Sequence, residues 1–177
     1  GQVRQVAGSA IVDAFGVVLA KGSFTVQLGT VEKPGDGTYQ AMVLTLSSVQ
    51  VFIGVGGELT ENGAGYEDDA INTESGVGFG ATLNSLSLVT LKNNNDTPTV
   101  ATDDTSYLGL ELSDLTAELV GIDGLTMAVY GAGLKVNQAK DTDNDAGTNP
   151  AKIDWATFFD DTTGLEPAAV PVVGAGI

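Results

Sequence analysis

The chain has 177 residues, 23 acidic against 7 basic, a net charge of −16, and neither cysteine nor histidine. Those two absences exclude disulfides, thiolate nucleophiles, Ser-His-Asp and Cys-His catalytic sets and ordinary zinc sites, and the acidity disfavours nucleic acid and anionic lipid, both of which need a basic surface. With 42% hydrophobic residues and 24 glycines, the composition predicts a single all-β module over 1–177, rich in strands and turns, with no apolar run long enough to insert in a membrane as a helix.

Taken in chain order, Ala10, Val12 and Ala14 open an alternation of apolar and polar residues, and Val17 and Leu19 join Phe24, Val26 and Leu28 across Ala20-Lys21. From residue 42 the alternation becomes a repeated unit with one constant defect. Met42, Leu44 and Leu46 are separated by Ser47-Ser48 from Val49, Val51 and Ile53. Phe79, Ala81 and Leu83 are separated by Asn84-Ser85 from Leu86 and Leu88; Leu108, Leu110 and Leu112 by Ser113-Asp114 from Leu115, Ala117 and Leu119; Leu125, Met127 and Val129 by Tyr130-Gly131 from Ala132, Leu134 and Val136. Strict alternation marks strands with one apolar face. Two successive polar residues would turn the second half of each strand over, so a corner or bulge is expected at each dipeptide to restore the facing. The ladders are then expected to close a dry interior, with Glu111 and Glu118 pointing away from it.

Long polar connections run over 54–76, 92–106 and 137–152, whereas Val120 to Gly124 is a tight link; around Trp155, Phe158 and Phe159, residues 153–160 can hold one helical turn. Two architectures satisfy this layout. A β-solenoid-like stack of bent strands has one unit per coil, a fixed corner and a variable third side. An antiparallel two-sheet sandwich of long bent strands uses the tight link as a hairpin. The constant corner beside a variable loop favours the solenoid. Either one leaves ends or edges that call for a neighbour, hence for further copies.

Most acids lie in the loops. Asp141, Asp143 and Asp145 alternate in one of them, as ligands converging on a hard cation would, which makes Ca²⁺ the candidate cofactor, with a plain solvated acidic loop as the alternative; Ala146 and Lys152 depart from the EF-hand pattern. Glu67-Asp68-Asp69 and Asp103-Asp104 read as solvated pairs. No catalytic residue is assigned, because nothing places two carboxylates in an apolar cleft. Trp155 reads as a hydrophobic plug in preference to a sugar platform.

Several phrases, Ala14-Phe15-Gly16-Val17-Val18-Leu19, Val51-Phe52-Ile53-Gly54-Val55-Gly56-Gly57, Val120-Gly121-Ile122-Asp123-Gly124-Leu125 and Ile153-Asp154-Trp155, resemble the tandem modules of very large bacterial surface or secreted adhesin-like proteins. The resemblance implies an extracellular or cell-surface, repetitive, non-enzymatic role, in modules that often accompany calcium-binding repeats. The expected function is a structural module that self-associates into a filamentous or surface-layer assembly. A calcium-dependent adhesin or carbohydrate-binding domain is the alternative, with a carbohydrate or cell-surface partner, and a polysaccharide-active enzyme comes third.

Overall fold

The computed structural model describes residues 2–63, 65, 68–93, 104–141 and 149–177. Six long strands make one antiparallel sheet in simple chain order: β1 (Arg4–Ala14), β2 (Val18–Lys33), β3 (Gly37–Val55), β6 (Val77–Asn93), β7 (Thr105–Val120) and β8 (Ala128–Asp141). Between β3 and β6 lies a small hairpin, β4 (Glu58–Thr60) with β5 (Ala70–Asn72), and β9 (Thr163–Gly164) pairs with β2. Among the described residues there is no helix, though Phe158 N–H donates to Asp154 C=O at 2.9 Å, the expected single turn.

The chain is all-β as expected, but the strands meander instead of coiling as a solenoid. The reason is the length of the links. Phe15-Gly16-Val17 joins β1 to β2, closed by Val17 N–H to Ala14 C=O at 3.1 Å, and Pro34-Gly35-Asp36 joins β2 to β3, closed by Asp36 N–H to Lys33 C=O at 3.1 Å. Three residues allow a hairpin and forbid the crossover that a parallel neighbour requires.

The expected corners are present. Ser48 (φ 53°), Asp114 (φ 55°) and Gly131 (φ 61°) take left-handed conformations at three of the four dipeptides, and the pairing register shifts beside Ser48 and around Leu115. Strand β2 supplies the parity test, because it pairs with β1 without a break from Val18 to Leu28. Residues opposite one another share a face. Phe24 and Val26 face Leu46 and Leu44, and on the same side of β2 Ala20 and Val18 face Val51 and Ile53. The bulge in β3 therefore returns its second ladder to the face of the first. No such corner exists in β2, where Leu19 falls on the side opposite Phe24, contrary to the joining of Val17 and Leu19 to that ladder. Along the corner line Ser9, Ser23, Ser47, Ser85 and Ser113 stand opposite one another, linked by Ser9 Oγ to Ser23 Oγ at 3.2 Å and Ser85 Oγ to Ser113 Oγ at 2.8 Å. Ser48 pays for its corner with a backbone that side chains resist. Ser48→Gly is expected to raise stability by about 0.5–1 kcal/mol and Ser48→Val to lower it by about 1–2 kcal/mol, read from urea midpoints.

The ladders do not enclose the interior, which is the main correction to the sequence reading. The fully buried residues are their alternates: Val31, Tyr39, Ala41, Val43, Val89 and Leu91, covered by Trp155, Phe158, Leu165 and Val173 of the C-terminal segment. At the other end of the same face, Leu19 and Phe52 are buried near Gly57 of the 54–76 connection, and Lys21 Nζ donates to the Asp69 carbonyl. The C-terminal segment thus carries the main apolar lid, and the polar-looking 54–76 connection covers the other end. Tyr39 sits edge-on to Phe158 and Tyr107, with ring centroids 5.6 and 6.1 Å away. Burial, then the nearby Tyr107 and Asp36, pushes its hydroxyl above the ordinary 10.0. The unfolded chain releases this proton first, so the contribution is complete below about pH 10 and is lost as pH rises beyond it. Tyr39→Phe is expected to flatten that alkaline decline in a pH series of urea melts.

Candidate functional site

The other face of the sheet carries the ladders. One row across all six strands is Val6, Val26, Leu44, Leu88, Leu110 and Val136, and the next is Gly8, Phe24, Leu46, Leu86, Leu112 and Leu134. Beyond the corner, Val12, Ala20, Val51, Ala81, Ala117 and Val129 form another. Leu44, Leu88 and Leu110, in the middle, are half-buried by their own neighbours. Towards the edges exposure rises to 63% for Val6, 52% for Leu134 and 54% for Val129. Six strands spaced about 4.8 Å apart make this face about 24 Å wide and, over a dozen residues, about 40 Å long.

Charge is sorted between the two faces. Glu111 lies on the covered side, where its carboxylate accepts from Lys135 Nζ at 3.1 Å and from Val172 N–H at 2.6 Å. Glu118 pairs across the sheet with Gly80, in the row of Leu19 and Phe52. Both point away from the ladders, as the alternation predicts. At one end of the ladder face, aliphatic rows give way to polar ones: Arg4, Leu28, Met42, Thr90, Leu108 and Gln138, then Thr30, Gln40, Lys92, Ser106 and Lys140. A cavity of about 940 Å³ lies there, lined from all six strands including both edges. Periodicity located the face; the cavity is lined from six separate strands, which no local pattern reports.

The expected calcium ligands fall mostly elsewhere. Asp141 ends β8, its N–H donating to Asn149 Oδ1 at 3.3 Å, while Asp143 and Asp145 lie outside the described residues. Among the described residues no three acids gather at one point. Asp69, read as a solvated acid, is 2% exposed and anchors the hairpin loop through its carbonyl. Asp104 pairs with Lys92 at 2.9 Å. Trp155 is fully buried as a plug, its Nε1–H donating to Asn137 Oδ1 at 3.0 Å.

Comparison with known proteins gives no match to any family model, to any curated protein or to any solved structure.

Proposed function

We propose that the chain is a non-enzymatic structural module that assembles with copies of itself, and that it works outside the cell. The observation that carries this is the uncovered aliphatic face. A soluble chain rarely exposes contiguous apolar patches beyond a few hundred Å², whereas this face offers about 1,000 Å². The chain exposes 10243 Å² in all, against roughly 8,000 Å² for a compact 18 kDa monomer. Two such faces brought together would bury about 2,000 Å², the range of obligate homodimers. They would also complete a two-sheet sandwich, with sheets about 10 Å apart.

The sorting of charge supports the same reading. The aliphatic rows named above carry no acid that a second copy would have to desolvate, and Glu111 and Glu118 lie on the opposite face, where like charge limits growth in other directions. An extracellular location rests on the acidic loops and on the resemblance to adhesin-like modules. Sedimentation equilibrium tests the assembly: species heavier than 18.0 kDa that grow with concentration and persist in high salt are expected. A monomer at every concentration would overturn the reading.

A further inference from the structure

We propose that the cavity at the polar end of the ladder face is a binding site for an organic acid with an apolar body. Three of the seven basic residues line it, Arg4, Lys92 and Lys140, and among the described residues no acid does. In so acidic a chain, that concentrates positive charge at one place. Lys92 is balanced from outside the cavity by Asp104. Arg4 and Lys140 form no ion pair among the described residues. They stand on the two edge strands and line the same cavity from its two sides.

The floor is of the other kind. Leu28, Met42 and Leu108 line it and continue directly into the aliphatic rows beyond. Pockets of this size hold small molecules by an apolar body and a few placed polar groups. A carboxylate suits the cationic side, since guanidinium donates two parallel hydrogen bonds to it. The aliphatic floor selects an alkyl chain over a hydroxylated sugar, whose hydroxyls would lose water there without partners.

The test is calorimetric titration with three probes: decanoate, which has both parts, 1-decanol, which lacks the charge, and glucuronate, which lacks the apolar body. Decanoate is expected to bind, and 1-decanol to bind roughly tenfold more weakly. Glucuronate is expected to give no heat. Arg4→Gln and Lys140→Gln should each weaken decanoate roughly tenfold, Lys140→Arg should restore it, and Lys135→Gln on the opposite face should leave it unchanged. Unaltered far-ultraviolet dichroism would show that the exposed variants keep their strands. Equal binding of decanoate and 1-decanol, equal binding of glucuronate, or indifference to both Arg4→Gln and Lys140→Gln would overturn the site. Because the cavity shares the ladder face, the titrations are run at protein concentrations where sedimentation of the same samples shows a monomer, so that failure of the site and covering of the face by a second copy are told apart.

Discussion

Leu110→Asp is expected to leave the isolated chain folded and to abolish its self-association. Leu110 sits at the centre of the ladder face, between Leu88 and Val136, and is only half-buried within one chain. A carboxylate there keeps its water in the monomer, so the change in monomer stability should stay near 1 kcal/mol. Burying that carboxylate against a second apolar sheet without a partner would forfeit its hydration, several kcal/mol at least, and two copies would bring two such charges together. Association should weaken by more than a thousandfold, read by sedimentation. Val43→Asp, on the covered face, should instead unfold the chain, because Val43 is fully buried beneath the C-terminal segment. The contrast separates loss of assembly from loss of fold: if Leu110→Asp unfolds the chain as Val43→Asp does, the ladder face is part of the core of a single chain.

Trp155→Ala is expected to be the most damaging substitution outside the sheet, at about 3–5 kcal/mol. The ring is fully buried, and its removal also leaves the buried Oδ1 of Asn137 without its donor. That side chain is 4% exposed and holds three partners: Oδ1 accepts from Trp155, while Nδ2 donates to the carbonyls of Ile153 at 2.8 Å and Gly174 at 3.0 Å. One amide thus ties two stretches of the C-terminal segment to β8. The indole lies over Gly109, where a Cβ would stand 2.5 Å from the ring. Gly109→Ala should therefore cost about 1–3 kcal/mol while keeping the fluorophore. Urea unfolding, followed by far-ultraviolet dichroism, measures both. A loss below 1 kcal/mol for Trp155→Ala would mean that the C-terminal segment does not cover the sheet.

The strands and their corners were legible because both follow from short-range rules. Alternation gave the ladders, and paired small or polar residues marked the corners at Ser48, Asp114 and Gly131. Which face would be covered was not legible by the same route. The ladder side is the more aliphatic, yet the lids at residues 153–173 and near Gly57 close on the side that alternates Val43, Thr45 and Ser47, or Val89 and Ser87. Periodicity weighs each face by composition and says nothing of where a distant segment returns. Gly109, in the middle of an apolar ladder, was the one local sign that something large approaches from the other side. The meander was readable in Phe15-Gly16-Val17 and Pro34-Gly35-Asp36, whose brevity outweighs the solenoid-like spacing of the later units. Asn137 sat at the start of a stretch read as loop, so its bridging role depended on contacts with residues 153 and 174 that only the fold brings near.

Because the chain contains no cysteine, a single thiol introduced as Leu110→Cys reports directly on the ladder face. Its rate of reaction with a bulky maleimide, followed from micromolar to millimolar protein, should fall steeply as copies cover one another. A rate that stays the same across that range would contradict burial of this face in the assembly.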